Sequence, residues 1–464
     1  MLRPFFYLCS AGVALQACSP VGPDYTEPRI ELPATFVNGG STALQDASRT
    51  VWWSSFSDAL LNDLVEIGLA QNLDIRTATE RIRAARANID RFGIPEQFDG
   101  GIAAEARRID TPGGPIIEQS GGTADAFFVF DLFGRFTRSR QGAVADLEAV
   151  QFDAGTVRLA FLAEVIDAYN EARYYQAAAG ITRQSIASRR QTLDLVQRRA
   201  DAGEATALEL AQARSLLATA EASLPILIGR YEENVFRIAT LVAQPAALVK
   251  SRMDPARGQL RPRGGTATGI PADILRNRPD VRAAERSFAA ATATVGVAEA
   301  ETLPALSLSG FIAIGTNDTW SFGPTLFAPI LNQPRLQANR RVAESNARQA
   351  ELIWRSAVLN AVQDTQTALA LTRQWQNQVA AFGRAVTAST EVLDLSTRAY
   401  DVGATTLLDV MDAERVIFEN RLSQANAIRN WTSSYVQLQV GTGKGWLVGV
   451  NEIYVVDRRT RSTN

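Results

Sequence analysis

The sequence predicts an α+β membrane protein in which long helices continue from membrane-spanning β-strands. Two long stretches lack proline and have helical apolar spacing, two shorter stretches alternate in polarity, and the chain repeats itself at an offset of 200 residues. A helix places residues three or four apart on one face, whereas a strand places every second residue on one face. Each repeat therefore has a helical part and a strand-forming part.

The N-terminus predicts export and lipid attachment. Residues 1–17 combine one positive charge with an apolar stretch too short to cross a bilayer as a helix, which is typical of a signal peptide. Leu15-Gln16-Ala17-Cys18 resembles a bacterial lipobox, which predicts that Cys18 is acylated and becomes the first mature residue. Ser19 follows it rather than aspartate, which favours sorting to the outer membrane. A plain signal peptide with an incidental cysteine is the alternative.

Composition argues against an enzyme and against a nucleic-acid-binding protein. The chain has no histidine, which removes the commonest general base and the commonest metal ligand. The 47 basic and 49 acidic residues leave a net charge of -2, and no basic tract is present to bind phosphates. Because Cys9 leaves with the leader, Cys18 is the sole mature cysteine. We expect no cofactor other than the covalent lipid on Cys18.

The predicted helices are too long for a compact domain. Proline is absent from 116 to 224 and from 335 to 464. A continuous helix from Arg135 to Ala202 would be ~100 Å long, and one from Arg335 to Val402 would match it. Such helices must pack lengthwise in a bundle or tube. Apolar residues on one helical stripe are Val157, Phe161, Leu162, Val165, Ile166 and Tyr169.

An internal duplication divides the chain into two similar halves. Nine of the 21 positions from 193 to 213 are identical to those 200 residues later, and Arg173 with Gln176 is repeated as Arg373 with Gln376. The repeated Asp-x-Gly-x-x-Thr segment interrupts both long helical patterns. Because glycine allows a left-handed residue, each half is expected to turn sharply there.

Two strands are predicted in each half, in 97–133 and 303–331, where runs of about ten alternating residues are typical of membrane strands. Two soluble hairpins packed on helices are the alternative. No stretch after the leader has ~18 consecutive apolar residues, so a membrane helix is not expected. Because a membrane barrel needs about eight strands and cannot leave open edges in lipid, four strands per chain require assembly from several chains.

Several segments together resemble the TolC-like outer-membrane factor family, in its acylated OprM/NodT branch. The resemblance extends from Cys18 to about Trp446 and includes the repeated glycine turns. One departure is the segment Pro329–Pro334, where the family usually has a Gly-rich turn, so the resemblance supports the assignment but does not fix the strand-to-helix geometry there. The resembling segments are Val21–Pro28, Trp52–Phe56, Phe130–Arg135, Ile274–Val281 and Leu303–Leu308.

This resemblance implies a homotrimer with a 12-stranded β-barrel, four strands per chain, continued by a long periplasmic α-helical barrel. It implies the outer-membrane channel of a tripartite efflux system, which passes drugs, other small compounds or metal ions to the exterior without chemical change. The implied partners are further copies of the chain, a periplasmic membrane-fusion adaptor, an inner-membrane resistance-nodulation-division (RND) transporter and outer-membrane lipid. The implied location is the bacterial outer membrane, with a lipid anchor and an extension into the periplasm.

The expected domain organisation follows the duplication. A signal peptide (1–17) is followed by a lipid-anchor and equatorial segment (18–52). The first half then comprises a helical-barrel segment (53–96), strands 1–2 (97–133), long helices (134–244) and an equatorial segment (245–270). The second half comprises a helical-barrel segment (271–302), strands 3–4 (303–333), long helices (334–440) and an equatorial C-terminal segment (441–464).

The family match implies a periplasmic aperture formed by Leu408 and Asp412, with Asp409 beside them. Leu408 and Asp412 lie four residues apart, hence on one helix face just beyond Gly403. Gln212 stands at the repeat position of Asp412, so a trimer would carry three such carboxylates. Crowded carboxylates attract cations. Ordinary solvated helix charges are the alternative interpretation of Asp409 and Asp412.

The two turns are the expected docking sites for the adaptor, because they lie at the far ends of the helical halves. The residues assigned to docking are Asp201, Gly203, Thr206, Asp401, Gly403 and Thr406.

Two other classes of transport-related protein are alternatives to an efflux channel. A duct for type I protein secretion shares the fold, but acylation and the Val21–Tyr25 start favour efflux. A periplasmic coiled-coil adaptor lipoprotein lacks four alternating strands and a 200-residue duplication.

Overall fold

The computed structural model describes residues 19–110, 112–315 and 318–450. The predicted signal peptide, Cys18 and the last residues of the C-terminal segment lie outside the described residues. A 3-10 helix at Trp52–Phe56 precedes the helices and strands. The helices are α1 (Ala59–Gln71), α2 (Leu73–Ile89), α3 (Ile94–Gln97), α4 (Arg135–Asp201), α5 (Ala207–Leu241), α6 (Ala246–Met253), α7 (Ala272–Asn277), α8 (Pro279–Ala300), α9 (Gln333–Asp401) and α10 (Leu407–Gly441). The strands are β1 (Phe98–Ile109), β2 (Ile117–Phe130), β3 (Ala305–Ile314) and β4 (Thr319–Phe327).

The long helices α4 and α9 confirm the helical prediction from spacing and proline absence. They contain 67 and 69 residues, so each is ~100 Å long. Helix α5 returns antiparallel along α4, and α10 returns along α9. Helix α8 packs against both α4 and α9 and thereby joins the halves. None of the described helices is apolar enough over a sufficient length to cross a membrane.

The four strands form one antiparallel sheet in the order β1-β2-β3-β4. Phe98 pairs with Phe128, Phe128 with Leu308, and Leu308 with Pro324, so the two hairpins are joined through β2 and β3. The four strands predicted from alternation are therefore present. Each hairpin leads directly into one of the two long helices.

The two strand-to-helix connections differ, and the difference lies in the segment Pro329–Pro334, where the sequence departs from the family pattern. In the first half Gly134 has φ 74°, and the Asp131 carboxylate accepts hydrogen bonds from the backbone N–H groups of Phe136 and Thr137. The repeat position of Gly134 is Pro334, whose ring cannot adopt a positive φ. Helix α9 accordingly begins one residue before this proline, after Asn332 in right-handed conformation.

The largest core lies at the middle of the molecule, where the N-terminal segment, α4 and the chain after α10 meet. Trp52, Phe152 and Trp446 are each at most 5% exposed. The ring of Trp446 packs edge-on against Phe152, and its Nε1 donates to the Asn277 carbonyl at 3.0 Å. These contacts hold the helices together midway between the sheet and the opposite ends of the long helices.

Candidate functional site

The first helical half ends in a glycine turn at the end of α4 opposite to the sheet. Gly203 has φ 75°, a region that costs other residues about 1–2 kcal/mol. Its N–H donates to the Ala200 carbonyl at 3.0 Å, and the Glu204 N–H donates to the Arg199 carbonyl at 2.7 Å. These bonds satisfy the last carbonyls of α4 and reverse the chain into α5.

The second half ends in the same turn. Gly403 has φ 73° and donates its N–H to the Tyr400 carbonyl at 3.0 Å, while Ala404 donates to the Ala399 carbonyl at 2.8 Å. Both bonds repeat those of the first half at the offset of 200 residues. The predicted sharp turns are confirmed.

Threonine begins the returning helix in each half. The Thr206 hydroxyl accepts from the Glu209 N–H, and the Glu209 carboxylate accepts from the Thr206 N–H at 2.7 Å. In the second half, one oxygen of Asp409 accepts from the Thr405 hydroxyl, the Thr406 hydroxyl and the Thr406 N–H at 2.5, 2.7 and 3.0 Å. The hydrogen bond from Thr405, followed by those from Thr406, lowers the pKa of Asp409. Asp409 thus acts as a helix cap.

The two turns lie side by side. Arg199 Nη1 donates to the Tyr400 carbonyl at 2.6 Å, and the Arg199 guanidinium lies 4.7 Å from the centre of the Tyr400 ring. The six residues assigned to docking therefore lie together at one end of the molecule, and all six are exposed. They are Asp201, Gly203, Thr206, Asp401, Gly403 and Thr406.

A groove of about 510 Å³ lies beside these turns, between α4, α9 and α10. Its wall combines charges of both signs with apolar side chains, so it is not a simple apolar cleft. The charged lining residues are Arg198, Asp394, Arg398, Asp401, Glu414 and Arg421.

Leu408 and Asp412 share the exposed face of α10, as their spacing predicts. Leu408 is 61% exposed, whereas the adjacent Leu407 is 1% exposed and packs in the cluster between the helices. Asp412 forms an ion pair of 2.6 Å with Arg415, which also contacts Glu419 at 3.0 Å. Within one chain, Arg415 is thus shared between Asp412 and Glu419, which leaves these three side chains with a net charge of -1.

Glu414 lies on α10 near the two glycine turns and was not identified from the sequence patterns. It is 3% exposed, and its Oε1 accepts from the hydroxyls of Ser188 at 2.9 Å and Thr192 at 2.8 Å. Both donors lie on α4, so Glu414 joins the second half to the first. A carboxylate on the apolar stripe of Val410 and Ile417 was the signal that could have identified it.

The sheet at the opposite end has two unlike faces. The strand register places even-numbered residues of all four strands on one face and odd-numbered residues on the other. The even face carries exposed apolar side chains, with Ile102 89% and Trp320 78% exposed. The odd face carries most of the polar side chains, together with Phe127, Phe311 and Phe327, whereas Arg108 and Glu118 lie on the even face near the β1–β2 turn. The polar residues of the odd face are Asp99, Glu105, Arg107, Asp125, Ser307, Ser309, Ser321 and Thr325. A mainly apolar face backed by a mainly polar face is the arrangement of a sheet between lipid and water.

The first described residues lie at the base of this sheet. The Val21 N–H donates to the Phe133 carbonyl at 3.0 Å, and Arg138 donates to the carbonyls of Val21 and Gly22 at 3.0 and 3.2 Å. A side chain at Gly134 would collide with Pro20. The chain that follows Cys18 is thus fixed where β2 passes into α4.

Among the described residues, no group of three or more Cys, His, Asp or Glu side chains is placed to hold a metal ion. The clustered charges at the tips belong to helix caps, ion pairs and the groove wall.

Comparison with known proteins agrees with this geometry. The family model described as "Outer membrane efflux protein" matches residues 64–244 and 270–444. Nodulation protein T of Rhizobium leguminosarum bv. trifolii is 34% identical, over 96% of this chain and 97% of its own length. The pyoverdine export outer membrane protein OpmQ of Pseudomonas putida is 30% identical, over 95% and 97%.

A solved structure shows the same fold. The outer-membrane channel OprN superposes with a TM-score of 0.83 at 30% identity, covering 92% of this chain and 99% of that one. The resemblance seen in the sequence, including its branch, is thereby confirmed. The chain belongs to the outer membrane efflux protein family and is an outer-membrane efflux channel with the TolC-like fold.

Proposed function

We propose that three copies of this chain form the exit duct of a tripartite efflux pump. Each copy supplies four strands to a 12-stranded outer-membrane barrel and its long helices to a periplasmic tunnel. The observation that carries this proposal is the sheet itself. It has one mainly apolar and one mainly polar face, and β1 and β4 have no strand partner along their outer edges among the described residues. Such edges must be paired in lipid, and further copies supply the pairing.

The duct receives its cargo from a periplasmic adaptor and an inner-membrane RND transporter, and releases it without chemical change. Relatives are named for the export of pyoverdine and for toluene and solvent efflux. We therefore assign small organic molecules as the cargo class. The long helices, ~100 Å in length, give the reach needed to meet the partners in the periplasm.

The periplasmic aperture is formed by Leu408 and Asp412. Their exposed position on α10, close to the turn, supports this assignment. In a trimer three copies of each would converge, the leucines as an apolar ring and the carboxylates as an acidic ring. Asp409 contributes by capping α10 rather than by facing the opening.

The paired turns dock the adaptor. Their exposure, their repetition and the charged groove beside them support this role. Glycine at position 203 leaves the surface of its turn open, since no atom lies within 4 Å of where its side chain would start. At Gly403 a side chain would start 3.8 Å from Arg199 Nη2, an ordinary van der Waals contact.

Cys18 carries the lipid. The hydrogen bonds that fix Val21 and Gly22 at the base of the sheet support this, because an acyl chain starting there would enter the membrane beside the barrel. Mass spectrometry of the mature N-terminus tests the assignment. A lipid-modified Cys18 is expected, and an unmodified mature terminus at another residue would refute it.

The assignment of the sheet faces gives the direct test of the proposed function. Ile102 lies on the apolar face and Ala103 on the polar face of the same strand. Ile102→Arg should abolish assembly of the outer-membrane trimer and efflux of a fluorescent dye, since a basic residue facing lipid costs about 2–4 kcal/mol at the midplane. Ala103→Arg is the matched control and should preserve assembly. Equal assembly of both variants would reject the barrel.

A further inference from the structure

A buried carboxylate between α4 and α10 has only one of its two oxygens hydrogen-bonded. Glu414 Oε1 accepts from the hydroxyls of Ser188 and Thr192, whereas Oε2 is closed to solvent and has no hydrogen-bond partner among the described residues. Both oxygens of an ionised carboxylate accept hydrogen bonds, and a charged acceptor that is buried without a donor is costly. Because solvent does not reach Oε2, a donor for it must come from the protein.

A buried arginine beside this carboxylate also has a free donor. Arg189 is 7% exposed, and its Nη1 donates to the Leu216 carbonyl at 2.9 Å, but its Nε has no partner among the described residues. Burial lowers the pKa of Arg189, and the Glu414 carboxylate raises it by a smaller amount. The two charges therefore act on each other, although they form no ion pair with each other in the described chain.

The hydroxyl donors and the arginine lie on different sides of α4. Ser188 and Thr192 line the groove between α4, α9 and α10. Arg189 follows Ser188 by one residue, about 100° around the helix, and its hydrogen bond to α5 places it on the side of that helix. An exchange of donors at Glu414 therefore requires α10 to change its position against α4.

The movement needed for this exchange is small. The Arg189 guanidinium lies 5.8 Å from the centre of the Phe418 ring, and Phe418 follows Glu414 on the same face of α10. A displacement of α10 by about one helical turn, ~5.4 Å, is therefore sufficient to bring Glu414 to the place where Phe418 meets the arginine.

We propose that Arg189 is an alternative partner of Glu414, and that the exchange from the two hydroxyls to Arg189 stabilises a second position of α10 in which the periplasmic aperture is open. A guanidinium and a carboxylate form two parallel hydrogen bonds between full charges, which offsets the loss of the two hydroxyl bonds. The link with opening rests on the proposed function, because α10 carries Leu408 and Asp412. The exchange of partners does not depend on it.

Substitutions of the two sets of donors should act in opposite directions on channel opening. In single-channel recordings of the full-length trimer, Ser188→Ala with Thr192→Val should raise the ratio of open to closed time roughly tenfold, and Arg189→Met should lower it by a similar factor. Arg190→Met is the matched control, because Arg190 is an exposed arginine on the same helix that pairs with Glu221. A rise in open time for Arg189→Met would show that Arg189 only supports the observed packing and would overturn the proposal.

Labelling of a buried thiol tests the exchange without reference to the aperture. Val410 is 1% exposed and precedes Glu414 by one turn on the same face of α10, so Val410→Cys reacts with a maleimide when the helix leaves its present position. The Ser188→Ala, Thr192→Val variant should accelerate labelling above the rate of the protein with Val410→Cys alone, and Arg189→Met should slow it.

The two measurements together separate the exchange from the duct. Labelling of the Arg189→Met variant that is unchanged or faster would overturn the exchange. Slower labelling with unchanged open time would overturn its link with the aperture. The expected opposite shifts in labelling, in a protein that forms no conducting channel, would support the exchange and reject the proposed duct.

Discussion

Glu414 on α10 accepts a 2.8 Å hydrogen bond from the Thr192 hydroxyl on α4, deep between the helices near the tip. The same carboxylate oxygen accepts from Ser188 at 2.9 Å, one helical turn earlier on α4. These bonds connect the second half, which carries Leu408 and Asp412, to the first. Movement of α10 away from α4 must break them.

Glu414→Ala should loosen the contact between α4 and α10. The change removes two hydrogen bonds to a charged group, each worth about 1.5–3 kcal/mol. Hydrogen–deuterium exchange in the segments around Thr192 and Val410 should therefore become faster. Glu419→Ala is the matched control, because Glu419 is exposed on the same helix and should leave exchange unchanged. Equal protection in Glu414→Ala and the wild type would show that these bonds do not hold the tip.

Gly155 should resist replacement although it lies inside a helix. A Cβ at this position would be 2.6 Å from the Trp446 ring and 3.0 Å from Pro279 Cβ. Overpacking of this kind costs about 1–3 kcal/mol and opposes the gain of about 1 kcal/mol in helix propensity. Gly155→Ala should lower the Tm of the detergent-solubilised protein. Gly180→Ala, with open space around it on the same helix, should raise the Tm, and a rise for both would contradict the packing.

Asp167 should make stability depend on pH. Its pKa is raised to about 6, chiefly by burial; the hydrogen bond from the Ser433 hydroxyl lowers the pKa, Glu171 raises it and Arg237 lowers it by smaller amounts. Because the unfolded pKa is about 3.9, the folded state binds more protons between about pH 4 and pH 6, so this contribution to stability falls as pH rises through that window. Asp167→Asn should then stabilise by up to about 3 kcal/mol at pH 7.5 and have no effect near pH 4.

Thermal unfolding at both pH values measures this effect. Glu164→Gln, an exposed position on the same helix, is the control and should show no pH-dependent difference from the wild type. A gain for Asp167→Asn that is equal at pH 4 and pH 7.5 would rule out the burial of a charge as its cause.

Much of the fold follows from local patterns. Proline absence and apolar spacing predict α4 and α9, and alternation predicts the four strands, because these signals depend only on neighbouring residues. The repeat predicts the turns at Gly203 and Gly403. Pro225 is an exception, because a proline inside a helix usually ends it. Helix α5 nevertheless continues through Pro225 to Leu241, since tertiary packing stabilises the helix before and after the proline.

The site was less accessible to sequence reasoning because its contacts are distant in the chain. The bond from Thr192 to Glu414 joins residues 222 positions apart. Asp409 resembles a free acidic residue in the sequence, but its hydrogen bonds to Thr405 and Thr406 make it a helix cap. The spacing of Asp412 and Arg415 allows an i, i+3 ion pair, and this pair reduces the negative charge expected near the proposed aperture.

Substitutions at Gly203 and Gly403 distinguish a docking role of the two turns from a purely structural role. Each glycine should be replaced by Trp, which adds bulk on the open surface, and by Asn, which adopts positive φ more readily than other residues. If the turns dock the adaptor, the Trp variants should lose efflux while the trimer reaches the outer membrane in normal amount, and the Asn variants should retain most efflux. Loss of assembled trimer in the Trp variants would instead show a purely structural role, and normal efflux from both would remove the turns from docking.

Single-channel recording in planar bilayers measures whether Leu408 and Asp412 close the periplasmic end of the duct. The wild type should show discrete, cation-selective conductance that multivalent cations block from the periplasmic side. The Leu408→Ala, Asp412→Ala double variant should conduct severalfold more, with weaker cation selectivity and weaker block, while Glu164→Gln, at an exposed position on α4 far from the turns, should behave as the wild type. A double variant with wild-type conductance would show that these two residues do not close the duct.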